Sequence, residues 1–132
     1  MIQPIKIQVR FTDLDVYGHV NNNIYFSYFE MARVHYFREL LGDDWNWMEN
    51  GFVLAKNEVE YVKSILIKHQ PKIEMYTESI GTKSFVLGYE LRVDDVIYAK
   101  GKSVQVCYNA KNNESIVIHE EMRKALSSLL RE

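Results

Sequence analysis

Asp13-Leu14-Asp15 is followed at once by Val16-Tyr17-Gly18-His19-Val20 and by three successive amides, Asn21, Asn22 and Asn23. Two carboxylates, one imidazole and three amides within eleven residues can do chemistry on a polarised carbonyl. The asparagines are good helix caps, because short polar side chains accept from free backbone N–H groups. An apolar-rich stretch begins at Ile24, so a helix starts here and turns unpaired N–H donors and a partial positive charge toward the loop. Such an end attracts an anion or a carbonyl oxygen. Asp15 lies a few residues upstream, close enough to face the same spot. A carboxylate beside an oxyanion-stabilising helix end suits acyl transfer, and an ordinary polar helix entry fits the spacing equally well.

The helix has to hold these groups still. Tyr25, Phe29, Ala32, Tyr36 and Leu40 recur three or four residues apart and form one deep apolar face. Ile24, Phe26, Tyr28, Met31, Val34, Phe37 and Leu41 widen that face almost all the way round, which predicts a nearly enclosed helix. Glu30 and Arg33 are spaced to support each other as an ion pair, and Gly42 is placed to end the helix.

Around the helix the chain reads as strands. Ile5, Ile7, Val9 and Phe11 alternate with polar residues and predict a strand running straight into the loop. Four longer strands follow, over 52–64, 73–80, 85–93 and 96–108. Gly81 to Ser84 and Asp94-Asp95 form turns, and Gly101 marks a bulge or a close approach. A short edge over 115–118 and a closing amphipathic helix marked by Met122, Ala125, Leu126, Leu129 and Leu130 complete the order. Strands without helices between them favour an antiparallel sheet. The expected class is α+β, with a curved antiparallel sheet wrapped around one long helix, as a single domain over 1–132. One helix leaves an edge and part of a face uncovered, which a homodimer or homotetramer would close.

Composition narrows the function. The chain has 132 residues and a formal net charge of -2, with Lys and Arg scattered, so no basic stripe points to nucleic acid. No apolar run is long enough to span a bilayer, and the N-terminus has no signal-peptide pattern. The single Cys107 fits a reducing cytoplasm. His19, His35, His69 and His119 lack metal-ligand spacing, and there is no Gly-rich phosphate loop, so neither a metal nor another cofactor is expected.

The combination D-x-D-x-x-G-H-V-N-N-x-x-Y followed by E-x-A-R is carried by Asp13, Asp15, Gly18-His19-Val20-Asn21-Asn22, Tyr25, Glu30 and Ala32-Arg33. It resembles the hotdog-fold acyl-CoA thioesterases of the 4-hydroxybenzoyl-CoA thioesterase family. The resemblance is closest to single-domain bacterial enzymes acting on medium- and long-chain acyl-CoA, with fatty and aryl acyl groups both open as substrates. It implies that Asp15 is the catalytic carboxylate, as base or nucleophile, and that the Asn22 N–H polarises the thioester carbonyl. His19 stands beside them as a loop-orienting or substrate-binding group. Tyr25 and Tyr61 are expected at the acyl site, with the segment around Tyr61 supplied by a second chain. Lys83 and Ser84 are expected to hold the CoA phosphates, although Gly81 and Thr82 replace arginines found in some members. Lys63 reads as a solvated strand-end charge. Asp13 reads as a structural partner of Arg10 and Asn21 as a loop-fixing amide. Two other functions compete: a hotdog hydratase or dehydratase, whose His-Phe-Pro and Asp-x4-His patterns are absent, and a non-catalytic acyl-CoA-binding module.

Overall fold

A computed structural model describes residues 1–131. The elements are β1 (Ile5–Lys6), a 3₁₀ turn (Phe11–Asp13), α1 (Ile24–Leu41), β2 (Gly51–Tyr61), β3 (Lys72–Ile80), β4 (Ser84–Val93), β5 (Val96–Asn109), β6 (Glu114–Ser115) and α2 (Glu120–Ser128). The sheet runs in the order β1-β3-β4-β5-β2, every pairing is antiparallel, and β6 adds to the end of β5. This is the α+β hotdog arrangement.

The helix touches the sheet along its whole width. Phe29 stacks on Tyr89 of β4 at 4.5 Å between ring centroids, and Phe37 meets Phe52 of β2 at 5.3 Å. Tyr25, Tyr28, Phe29, Ala32, Tyr36 and Phe37 are all buried, as their spacing predicts. Gly42 ends the helix with φ +81°, the left-handed conformation that glycine adopts without a Cβ penalty. Asp94 and Asp95 both have positive φ, which is the twist a two-residue hairpin needs.

Four expectations are corrected. The first strand stops at Lys6 instead of running to Phe11. Ile7 and Val9 stay buried, but Arg10 and Asp13 close a 3₁₀ turn that throws Phe11 outward, 82% exposed. The helix is not enclosed, because Met31 and Val34 are exposed on one flank. Glu30 and Arg33 form no ion pair among the described residues; Arg33 instead donates to the Tyr89 hydroxyl at 2.9 Å. The closing helix ends at Ser128, and Leu130 instead pairs in parallel with Thr77 of β3.

Gly101 is a close approach and not a bulge. Its pairings to Val59 and Tyr89 are regular, while a Cβ built there would run into the Phe29 ring. Because Phe29 is itself fully buried, the helix would have to lift. Gly101→Ala is expected to cost about 1–3 kcal/mol in urea unfolding, the usual penalty for overpacking. An unchanged midpoint would show that α1 is free to move off the sheet.

Candidate active site

The loop between the 3₁₀ turn and α1 folds into a small hairpin. Leu14 bridges Val20, the Asp15 N–H donates to the His19 carbonyl at 2.8 Å, and Gly18 turns the chain with φ +76°. The hairpin is fastened to the segment after β2, since the Val20 N–H donates to the Ile65 carbonyl at 2.8 Å.

Asp13 is the anchor. It is 1% exposed, yet its carboxylate accepts from the Arg10 N–H at 3.0 Å, the Arg10 guanidinium at 3.2 Å and the Tyr28 hydroxyl at 2.6 Å. Burial alone would raise its pKa; the Tyr28 and Arg10 hydrogen bonds outweigh burial and hold the carboxyl below its ordinary value. The same pair pushes the Tyr28 hydroxyl well above its ordinary value, through burial first and then the Asp13 bond. The Asp13 carbonyl also accepts from the Asn21 N–H at 2.8 Å. One residue thus ties the loop to the helix entry and to the second turn of α1.

Asp15 is held differently. Its Oδ1 accepts from the backbone N–H groups of Tyr17 at 2.9 Å and His19 at 3.2 Å. Its Oδ2 has no donor among the described residues. At the helix entry, Asn23 makes no side-chain cap. Asn21 turns the chain instead, its carbonyl accepting from Ile24 N–H at 2.9 Å and its Oδ1 from Asn23 N–H at 3.4 Å. The Asn22 N–H has no acceptor among the described residues, while its carbonyl accepts from the Tyr61 hydroxyl at 2.9 Å.

Asp15, His19, Asn22, Tyr25 and Tyr61 come together around one cleft of about 140 Å³. Tyr25 meets Tyr61 edge to face at 4.9 Å, and burial with the nearby Tyr61 pushes the Tyr25 hydroxyl up to about 12. Tyr61 therefore reaches the Asp15 cleft of its own chain, contrary to the expectation that a second chain brings it. Lys63 and Ser64 also line the cleft. Lys63 is exposed just past the end of β2, as a solvated strand-end charge is. Lys83 and Ser84 lie elsewhere. Ser84 pairs with Val106 and Tyr61 with Ala99 on β5, so ~23 Å of strand separates them at 3.3 Å per residue. Among the described residues no three His, Cys, Asp or Glu side chains gather as a metal-ligand set. Among the described residues no helix is long and apolar enough to cross a membrane.

The sequence model of the Thioesterase-like superfamily matches residues 9–126. The Escherichia coli (strain K12) long-chain acyl-CoA thioesterase FadM is 25% identical over 131 residues, covering 96% of this chain and 98% of that protein. The uncharacterised protein YsmA of Bacillus subtilis (strain 168) is 32% identical over 88 residues, 64% of this chain, and the match spans 56% of YsmA's own length. A thioesterase from Thermus thermophilus, solved with coenzyme A and zinc, superposes with a TM-score of 0.84 at 30% identity, covering 96% of this chain and 92% of that one.

The anchoring role of Asp13 has a pH signature. Its folded-state pKa is depressed, so its stabilisation is complete above the ordinary carboxylate range and is lost as pH falls through the folded value. Asp13→Asn is expected to lose about 1–3 kcal/mol at neutral pH, as for a buried charged hydrogen-bonding group. Its stability should also decline less steeply below pH of about 4. Parallel acid profiles for variant and parent, from urea titrations, would contradict the assignment.

Proposed function

This chain belongs to the thioesterase-like superfamily, and we propose that it hydrolyses the thioester of a fatty acyl-CoA to a carboxylic acid and free coenzyme A. The observation that carries the reading is the pairing, across one cleft, of the unengaged Asp15 Oδ2 with the uncommitted Asn22 N–H. The carbonyl oxygen accepts from Asn22 N–H, and the bond strengthens as negative charge gathers in the tetrahedral intermediate. Such donors are worth ~10²–10³ in rate. Asp15 Oδ2 takes the proton of an attacking water, or attacks the carbonyl carbon itself. In both routes the C–S bond breaks with its electron pair on sulfur, which leaves as the CoA thiolate. A single turnover in ¹⁸O-water tests the second route: label enters the Asp15 carboxylate only if Asp15 forms a mixed anhydride with the acyl group and water opens it at the Asp15 carbonyl, whereas direct attack by water labels the product acid and never the protein.

The other residues support these two. Tyr61 fixes the Asn22 carbonyl, His19 closes the Asp15 turn through its backbone, and Tyr25 lines the acyl entrance. The matching FadM and the coenzyme A-bound Thermus thioesterase favour acyl-CoA as substrate. The protein works as a homodimer in this reading. β2 is an open edge with Val53, Leu54 and Tyr61 exposed. Two such edges joined antiparallel about a two-fold axis set the Gly51 end of one chain against the Tyr61 end of the other. Lys83 and Ser84 of the second copy, two strands in from that edge, then approach the first copy's cleft and take the CoA phosphates.

Asp15→Asn keeps an oxygen for the Tyr17 and His19 N–H groups, so the turn should stay folded. It should cut kcat for thiol release by at least ~10²–10⁴, the worth of a positioned base. Near-parental turnover by a folded variant would remove Asp15 from the mechanism. Light scattering should give twice the chain mass, and Leu54→Lys at the β2 edge should yield monomers with reduced activity. A fully active monomer would mean that one chain holds the whole site.

A further inference from the structure

At the side of the sheet away from β2, β1 covers only the start of β3. Alternate residues of a strand turn their N–H and C=O toward the same neighbour. Along β3 the odd-numbered residues face this side. Ile73 pairs with Ile5, the Pro71 carbonyl accepts from the Ile7 N–H at 2.8 Å, and the Thr77 N–H donates to the Leu129 carbonyl at 2.9 Å. Met75 lies between them and is 2% exposed, yet its N–H and C=O meet no backbone partner on that side among the described residues. The β1 register would set Gln3 opposite Met75. Gln3 instead gives its carbonyl to His35 Nε2 at 2.8 Å, which holds the N-terminal residues off the strand.

This gap opens into a cavity of about 640 Å³ between β3, the last turns of α1, the N-terminal residues and the tail after α2. Ile2, Pro4, Leu40 and Leu129 give it apolar walls. Tyr36 reaches it from α1. That residue is 2% exposed, and its hydroxyl has no hydrogen-bond partner among the described residues. Burial raises the hydroxyl above its ordinary pKa, and the Met75 backbone beside it offsets part of the rise. A bond from the Met75 N–H to the hydroxyl oxygen would still leave two groups unanswered, the hydroxyl hydrogen and the Met75 carbonyl. Buried polar groups without partners are costly. At the rim Arg131 is paired with Glu74 at 2.8 Å and Glu90 at 2.9 Å, so its charge is already answered and does not call for an anion. Tyr36 lies about three turns beyond Tyr25 on α1, ~16 Å at 1.5 Å per residue. β3 is three strand spacings from β2, ~14 Å at 4.8 Å each. The cavity is therefore separate from the Asp15 cleft and from the edge that a second copy would cover.

We infer that this cavity is a second ligand site, which takes a small uncharged aliphatic alcohol. One hydroxyl answers both open groups at once: its oxygen accepts from the Tyr36 hydroxyl, and its hydrogen goes to the Met75 carbonyl. The aliphatic part lies against Leu40, Ile2 and Leu129. An ether or a carboxylate accepts but does not donate, so either leaves the Met75 carbonyl unpaired. The site stands apart from the thioesterase reading and does not depend on it.

The probes are pentan-1-ol, its isostere butyl methyl ether, and pentanoate, each titrated into the ¹⁵N-labelled protein and followed by the amide shifts of Met75 and Leu129. Pentan-1-ol should move both amides and bind tighter than the ether by roughly threefold to tenfold, the worth of one neutral hydrogen bond. Pentanoate, charged and without a donor, should bind more weakly than the alcohol. Tyr36→Phe should weaken pentan-1-ol by a similar roughly threefold to tenfold. The comparison of alcohol with ether uses the parent protein alone, so it decides the inference even if Tyr36→Phe does not fold. Equal affinity for alcohol and ether would overturn the inference, because the apolar walls alone would then account for binding. So would tightest binding by pentanoate, an unchanged affinity in folded Tyr36→Phe, or no shift at Met75 and Leu129 up to the solubility limit of the alcohol.

Discussion

Asp13 is a carboxylate with almost no contact with water, and three donors from two parts of the chain converge on it. A charge in that position is tolerated only when every exposed lone pair finds a partner. Arg10 supplies two of the bonds from the loop entrance, and Tyr28 supplies the third from the body of α1. The Asp13 backbone then binds Asn21, one residue before the cleft-lining Asn22. The loop carrying Asp15 therefore has one end fixed to the helix that carries the Asn22 donor. The separation of those two groups follows from the Asp13 clamp and not from any direct bond between them.

The clamp needs a helix that does not move. Phe29 is pinned between the Tyr89 ring and the bare backbone of Gly101, and Phe37 is pressed against Phe52 and Trp47. The sheet thus fixes α1 from behind, while the opposite flank stays open toward β2. That one-sided packing has two results. It leaves an open groove beside Val34 and Leu54, and it lets Arg33 turn inward to the Tyr89 hydroxyl instead of outward to Glu30.

The periodic parts of the chain were legible. Alternation in 85–93 and the three- and four-residue rhythm of α1 translate directly into burial, because each side chain's neighbours are set by the element itself. Turn residues were legible for the same reason, as at Asp94-Asp95. Asp15, Asn22, His19 and Tyr25 could be grouped because they are close in sequence. What could not be read was tertiary. The alternation from Ile5 to Phe11 is interrupted by the Asp13 clamp, which depends on Tyr28, fifteen residues away. The exposure of Met31 and Val34 depends on which flank of α1 the sheet covers. Lys83 follows Tyr61 in the chain but lies at the far end of the strands, and only the register reveals that distance.

The central claim is that a thioester carbonyl docks on the Asn22 N–H with the Asp15 carboxylate beside it. The most direct test is the infrared spectrum of a ¹³C-labelled acyl-CoA carbonyl bound to the folded Asp15→Asn protein, where no turnover obscures the bound state. Hydrogen bonding to the free N–H should weaken the C=O bond, so the account predicts a band at lower wavenumber than for the same thioester in water. A bound carbonyl absorbing at or above its frequency in water would contradict it.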